Sequence, residues 1–182
     1  MGNLANATED RTHFAAWAIA SSPLILSFNL SDAARMERAW PIISNRAVLA
    51  VNQHWAGAPG RRLVASAEQG GWQVWAKPLA QGAHAVLLMA TGAQPVGASV
   101  PLCTVSAALC ERPRVCVRDL YTGKELPPLL GTDSIAAALP VHDSLMVCVR
   151  PASLEGGCEL GGCPGRRSSS PPSRVGISHL GC

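Results

Sequence analysis

Between His13 and Leu30 runs "HFAAWAIASSPLILSFNL", the most apolar stretch of the chain. Phe14, Trp17 and Ala18 recur at i, i+3 and i+4, which predicts a helix with one apolar face over Thr8 to Ser22. Asn6 or Thr8 is placed to cap it, and Glu9 and Asp10 fall in the first turn, where the helix dipole favours negative charge. Pro23 ends it. "LILSFNL", residues 24–30, then reads as a short buried strand. "SDAARMERAWPII" resumes helix with Ser31 or Asp32 as its cap. Helix, strand and helix in quick succession are the order of a parallel α/β sheet or barrel.

A membrane span wants about 20 uninterrupted apolar residues. Ser21, Ser22, Pro23, Ser27 and Asn29 interrupt this one. A secretion signal wants a positive start, whereas "NATEDR" places Glu9 and Asp10 against Arg11 alone. The run is therefore assigned to a folded core, and no membrane partner is expected.

After residue 57 the pattern changes. "GAPGRR" has the composition of a linker. "GWQVWAKPL", "HAVLLMAT", "RVCVRDLYTG" and "HDSLMVCVRP" follow as short strand-like runs between Gly, Pro and polar turns. In the last, Leu145, Val147 and Val149 alternate with Met146, Cys148 and Arg150. Strands at this spacing predict an antiparallel β-sandwich. The expected division is residues 1–57, 58–151, and a disordered Gly/Ser/Pro-rich tail over 152–182.

Composition adds mainly exclusions. A net charge of +3, with basic clusters only at 60–62 and 165–170, gives no footprint for nucleic acid. Seven cysteines at 103, 110, 116, 148, 158, 163 and 182 lack paired C-x₂-C spacing, so no metal site is expected. Their odd number and irregular spacing favour small buried thiols over a disulfide framework. No cofactor is implied.

Particular words resemble a family. "EDRTHFAAWAIASSPLILSFNL" followed by "ISNRAVLAVNQHWAGAPGRRL" is similar to the end of the catalytic barrel of α-galactosidases (melibiases), glycoside hydrolase family 27. "WQVWAKPLAQGAHAVLLMAT", "VRDLYTGKEL" and "VHDSLMVCVRP" resemble the strands of the sandwich that follows it. The AVNQ of residues 50–53 with RDLYTGKEL at this separation carries the match, which covers residues 1–151. His54 departs from it, since family members usually have Asp there, and residues 93–112 match poorly.

The resemblance implies the last βα elements of a (β/α)₈ barrel followed by an antiparallel β-sandwich. It also implies hydrolysis of terminal α-D-galactosyl residues, an α-galactoside as ligand, and a homodimer for full-length members. Family members are often secreted, vacuolar or lysosomal. A retaining glycosidase needs two carboxyl groups about 5–5.5 Å apart. Here the match places both of the family's aspartates upstream of Met1, so no catalytic, substrate-binding or metal residue is expected in this chain. Glu9 and Asp10 are read as helix-start groups, Asp32 as a cap on the barrel rim, and Asp119 and Glu125 as turn and surface groups. His13 is expected to be a hydrogen-bonded packing residue and His142 a structural one. Trp72 and Trp75, three apart on a strand, face opposite sides, so at least one belongs to the core. Asn6-Ala7-Thr8 and Asn29-Leu30-Ser31 fit the glycosylation pattern, and Asn6 is preferred because Asn29 falls at a buried strand end. The other reading of the chain is a non-catalytic carbohydrate-binding or stabilising module. In either case the face of Phe14 and Trp17 is expected to lack its barrel neighbours, which implies low solubility or partial collapse of residues 1–57 onto the sandwich.

Overall fold

The computed structural model describes residues 2–66 and 71–152. The expected tail lies outside them, apart from Ala152. Three helices come first: α1 (Ala7–Ile19), α2 (Ala33–Ile43) and α3 (Arg46–Gln53). Each has a side-chain N-cap. Asn6 accepts from Glu9 N at 2.9 Å, Asp32 from Arg35 N at 3.1 Å, and Asn45 from Ala47 and Val48 N at 3.0 and 3.1 Å. α1 stops before Pro23, because Ser21 adopts φ 58° and turns the chain.

Eight strands follow: β1 (Arg61–Ser66), β2 (Trp72–Pro78), β3 (His84–Ala90), β4 (Val96–Pro101), then β5 (Val115–Asp119), β6 (Glu125–Leu129), β7 (Ser134–Leu139) and β8 (Ser144–Pro151). The short helices α4 (Leu102–Val105) and α5 (Ala107–Cys110) join β4 to β5. One antiparallel sheet has the order β1-β2-β3-β8-β5-β6, and β4 pairs with β7 in a second.

The six-stranded sheet is buried on both faces, and this positions everything else. Val86 and Leu88 of β3, with Val147 and Val149 of β8, meet Ala98, Val100 and Ile135 of the small sheet. The alternate residues Ala85, Leu87, Met146 and Cys148 face the other way, onto Phe14, Ala15, Ala18 and Ile19 of α1 and Val48 and Val51 of α3. A strand between two cores cannot alternate apolar with polar, which is why β3 is apolar from Ala85 to Ala90.

Three expectations are corrected. Residues 24–30 form no strand, and Ile25 and Leu30 are exposed; a strand needs a partner strand to bond, and among the described residues none pairs with this segment. The buried face of α1 is Phe14, Ala15, Ala18 and Ile19 rather than Phe14, Trp17 and Ala18. That face packs on β3 and β8 of the sandwich. Finally, Cys103 and Cys110 are not idle thiols but a disulfide clasping α4 to α5, and Cys148 is disulfide-bonded as well. Cys116 is the free cysteine among the described residues.

Candidate functional site

The helical segment meets the six-stranded sheet along a seam that is polar at one end and apolar in its middle. At the polar end, α1 presents Arg11 and Thr12, whose positions one and two residues beyond Asp10 aim them at the β7–β8 turn. Arg11 Nη2 donates to Asp143 Oδ1 at 2.6 Å, and the same oxygen accepts from Ser144 N at 2.7 Å. Thr12 Oγ1 and Ser144 Oγ lie 2.8 Å apart, and Tyr121 Oη lies 2.8 Å from that same Ser144 hydroxyl. The Arg11 guanidinium also sits 5.0 Å from the centre of the Tyr121 ring. Burial pushes the Tyr121 phenol above its ordinary value, only partly offset by its bond to Ser144.

Tyr121 is held there by its own turn. Asp119 Oδ1 accepts from the N–H groups of Tyr121 and Thr122 at 2.8 and 3.3 Å, and Oδ2 from the Thr122 hydroxyl at 2.8 Å. Gly123 completes the reversal at φ 72°. Asn45 reaches across from the start of α3, its Nδ2 donating to the carbonyls of Leu120 at 3.0 Å and Tyr121 at 3.4 Å.

Farther along, Lys77 on β2 is fully buried. Its ammonium donates to the carbonyls of Val51 and, at 3.2 Å, Asn52. These are end groups of α3, where the helix carries partial negative charge. Burial lowers the Lys77 pKa. Asn52 Nδ2 in turn donates to Ser22 O at 2.8 Å, tying the end of α3 to the end of α1. Gly60 N donates to Ile19 O at 2.9 Å, and a Cβ on Gly60 would meet that carbonyl oxygen at 2.2 Å. Only glycine allows the connection to pass so close.

Between α1, α2, α3 and the β5–β6 turn the seam encloses a cavity of about 220 Å³, walled by Phe14, Pro41, Ile42 and Val48 with Arg11 and Tyr121 at its polar end. No facing pair of carboxylates lines it. Among the described residues no group of three His, Cys, Asp or Glu side chains stands close enough to hold a metal.

This arrangement, helices locked to one face of an antiparallel sandwich, recurs in known proteins. Residues 69–149 match the alpha galactosidase C-terminal beta sandwich domain. A probable alpha-galactosidase of Dictyostelium discoideum is 30% identical over 152 residues, which are 84% of this chain and 38% of that protein. The chain is similar to the C-terminal part of α-galactosidases. It spans well under half the length of this curated relative, and it corresponds to the C-terminal part. In fold it is similar to the α-galactosidase of Saccharomyces cerevisiae, with a TM-score of 0.72 at 19% identity over 82% of this chain and 45% of the other. It is similar also to a GH27 β-L-arabinopyranosidase of Geobacillus stearothermophilus, with a TM-score of 0.70 at 26% identity over 83% and 32%.

The family's words turn out to line the seam. Arg11 and Thr12 come from the first, Asn45 and Asn52 from the second, Lys77 from the third, and Tyr121, Asp143 and Ser144 from the last two. Their side chains hold the helices on the sheet. Nothing in the sequence says that these words touch one another, because residues 132 positions apart give no local signal of contact.

The acids singled out earlier are dispersed. Asp10 is buried and accepts from the N–H groups of Gly2 and Leu4 at 3.1 and 3.3 Å, with Arg38 of α2 at 3.1 Å from its other oxygen. It is therefore a tie between segments, beyond the dipole role expected of it. Glu9 lies 3.2 Å from His142 Nδ1, and this contact is the main cause of its lowered pKa. Asp32 caps α2 and pairs with Arg35 at 3.3 Å. Glu125 is exposed, opposite Arg118 on β5.

His13 packs edge-on against Trp17, with ring centres 5.3 Å apart, and burial lowers its pKa. Its buried Nδ1 has no hydrogen-bond partner, contrary to the bonded role expected. Trp72 packs against the core between the sheets and Trp75 against the core under the helices. Their opposite facing is as the spacing of three requires, and both are half-buried. His54, where the family usually has Asp, caps the end of α3 through its backbone N–H.

Proposed function

We propose that this chain is the C-terminal part of a glycosidase that removes terminal α-D-galactosyl residues by the retaining, two-carboxylate route. In this reading residues 1–57 are the end of the catalytic barrel, 58–151 are the sandwich, and the sandwich serves as the wall against which the barrel's last helices are fixed. The seam carries the proposal: its polar ties come from both segments, and they are the residues that make the family match. Its acids serve as caps, ties and turn formers, so the reacting carboxylates belong to the upstream part of the relatives. The homodimer implied for full-length members is part of the same proposal, and light scattering of such a protein reads it.

The purified chain, assayed with a nitrophenyl α-galactoside, is expected to give no turnover above the uncatalysed rate. Turnover that saturates with substrate would overturn the assignment of catalysis to residues upstream.

A further inference from the structure

The two glycosylation patterns exchange rank in the structure, and the geometry points to Asn29 as an acceptor for an N-linked glycan. Asn29, Leu30 and Ser31 are all exposed, in a segment that forms no strand, although Phe28 before them is buried. Asn29 Oδ1 accepts from Ser31 N at 3.0 Å, and Asp32 N donates to Asn29 O at 3.0 Å. The acceptor amide and its obligatory hydroxyl residue are thus folded together in one short turn. Nδ2 makes no hydrogen bond among the described residues, so both its hydrogens face the surroundings.

Asn6 is in the opposite condition. Its Oδ1 caps α1 through Glu9 N at 2.9 Å, and its Nδ2 donates to Glu9 Oε1 at 3.2 Å. Thr8 lies inside the first turn of α1. A glycan on Asn6 attaches at the nitrogen that bonds Glu9, in the first turn of a helix, whereas the Asn29 nitrogen has no such bond to give up.

A separate observation bears on the compartment. Cys103 and Cys110 form a disulfide, and such bonds persist in oxidising compartments such as the lumen of the endoplasmic reticulum. The donor there is an oligosaccharide linked through pyrophosphate to a lipid. The Nδ2 nitrogen forms a bond to the anomeric carbon, the bond from that carbon to pyrophosphate oxygen breaks with its electron pair, and one Nδ2 proton passes to a base of the transferase. No oxidant or reductant is consumed.

The test is independent of activity. The full chain is translated behind a cleavable secretion leader with microsomes, and only protease-protected, translocated product is counted. The mobility of one glycan is expected to be added and then removed by peptide N-glycanase, which leaves Asp at position 29 on peptide mass spectrometry. The shift is expected to vanish in Asn29→Gln and in Ser31→Ala, and to persist in Asn6→Gln. Translocated product without a shift overturns the proposal, as does a shift abolished by Asn6→Gln alone.

Discussion

Tyr121 bears on stability through its proton. Its phenol is held neutral by burial, which outweighs the opposite pull of its bond to the Ser144 hydroxyl, so its pKa in the folded chain lies above the ordinary value of 10.0. The sign follows from linkage. The unfolded chain releases this proton above about pH 10 while the folded chain keeps it, so the contribution is fully present below that pH and is lost as the pH climbs. Denaturant melts of the wild-type chain are expected to show a falling alkaline limb that Tyr121→Phe flattens. At neutral pH the same substitution is expected to cost about 1 kcal/mol, the worth of one hydrogen bond. An unchanged alkaline limb in the variant would remove Tyr121 from this role. Lys77 shows a different solution to burial, since its charge is met by helix-end carbonyls and not by an acid.

At the scale of elements, what the sequence discloses depends on how much each element needs a partner. β2, β3, β5 and β8 were readable because long apolar or alternating runs identify a buried strand by themselves. β6, "ELPPL", carries two prolines and survives as a strand only because it lies at a sheet edge. β4 and β7, "VGASVP" and "SIAAAL", are made of small residues with weak strand preference and are defined by pairing with each other. Residues 24–30 are the converse case: an apolar run that looks like a strand but pairs with none among the described residues. The same logic hides the Cys103–Cys110 clasp, since a spacing of seven does not say that two short helices will turn back on each other. That clasp holds Leu102, Val105 and Leu109 in the core between the sheets. Cys110→Ser is expected to cost about 2–3 kcal/mol by the loop-closure estimate. The check is the denaturation midpoint of the variant against the unreduced wild-type chain; equal midpoints would mean that the apolar contacts alone keep the segment in place.

For the whole molecule, the candidate site was legible as words and not as a place. The five motif stretches stand apart in the sequence, and their common purpose appears only when the helices lie on the sheet. The arrangement also sets what each half can do alone. Removing residues 1–57 uncovers Ala85, Leu87, Leu120 and Met146, which are buried under α1 and α3. Residues 58–152 by themselves are therefore expected to bind an apolar dye and to aggregate at concentrations where the full chain stays dispersed. A soluble, monomeric sandwich with the full chain's melting temperature would show that the helices contribute little to its stability. Trp40 and Trp55, 59% and 63% exposed, lie outside both cores and leave apolar surface that the chain itself does not cover.

The double burial of β3 has a consequence for synthesis. Its neighbours are β2, a few residues earlier, and β8, with Leu87 set against Met146 in the register. A nascent chain leaving the ribosome thus carries the middle strand of its sheet for some fifty residues before the strand that flanks it is made. During that interval one edge of a wholly apolar strand is unpaired, and one face of it has no small sheet to rest on until β7 arrives. Folding of the sandwich must wait for the last strand, and α1, although made first, must wait for the same event to find the surface it covers.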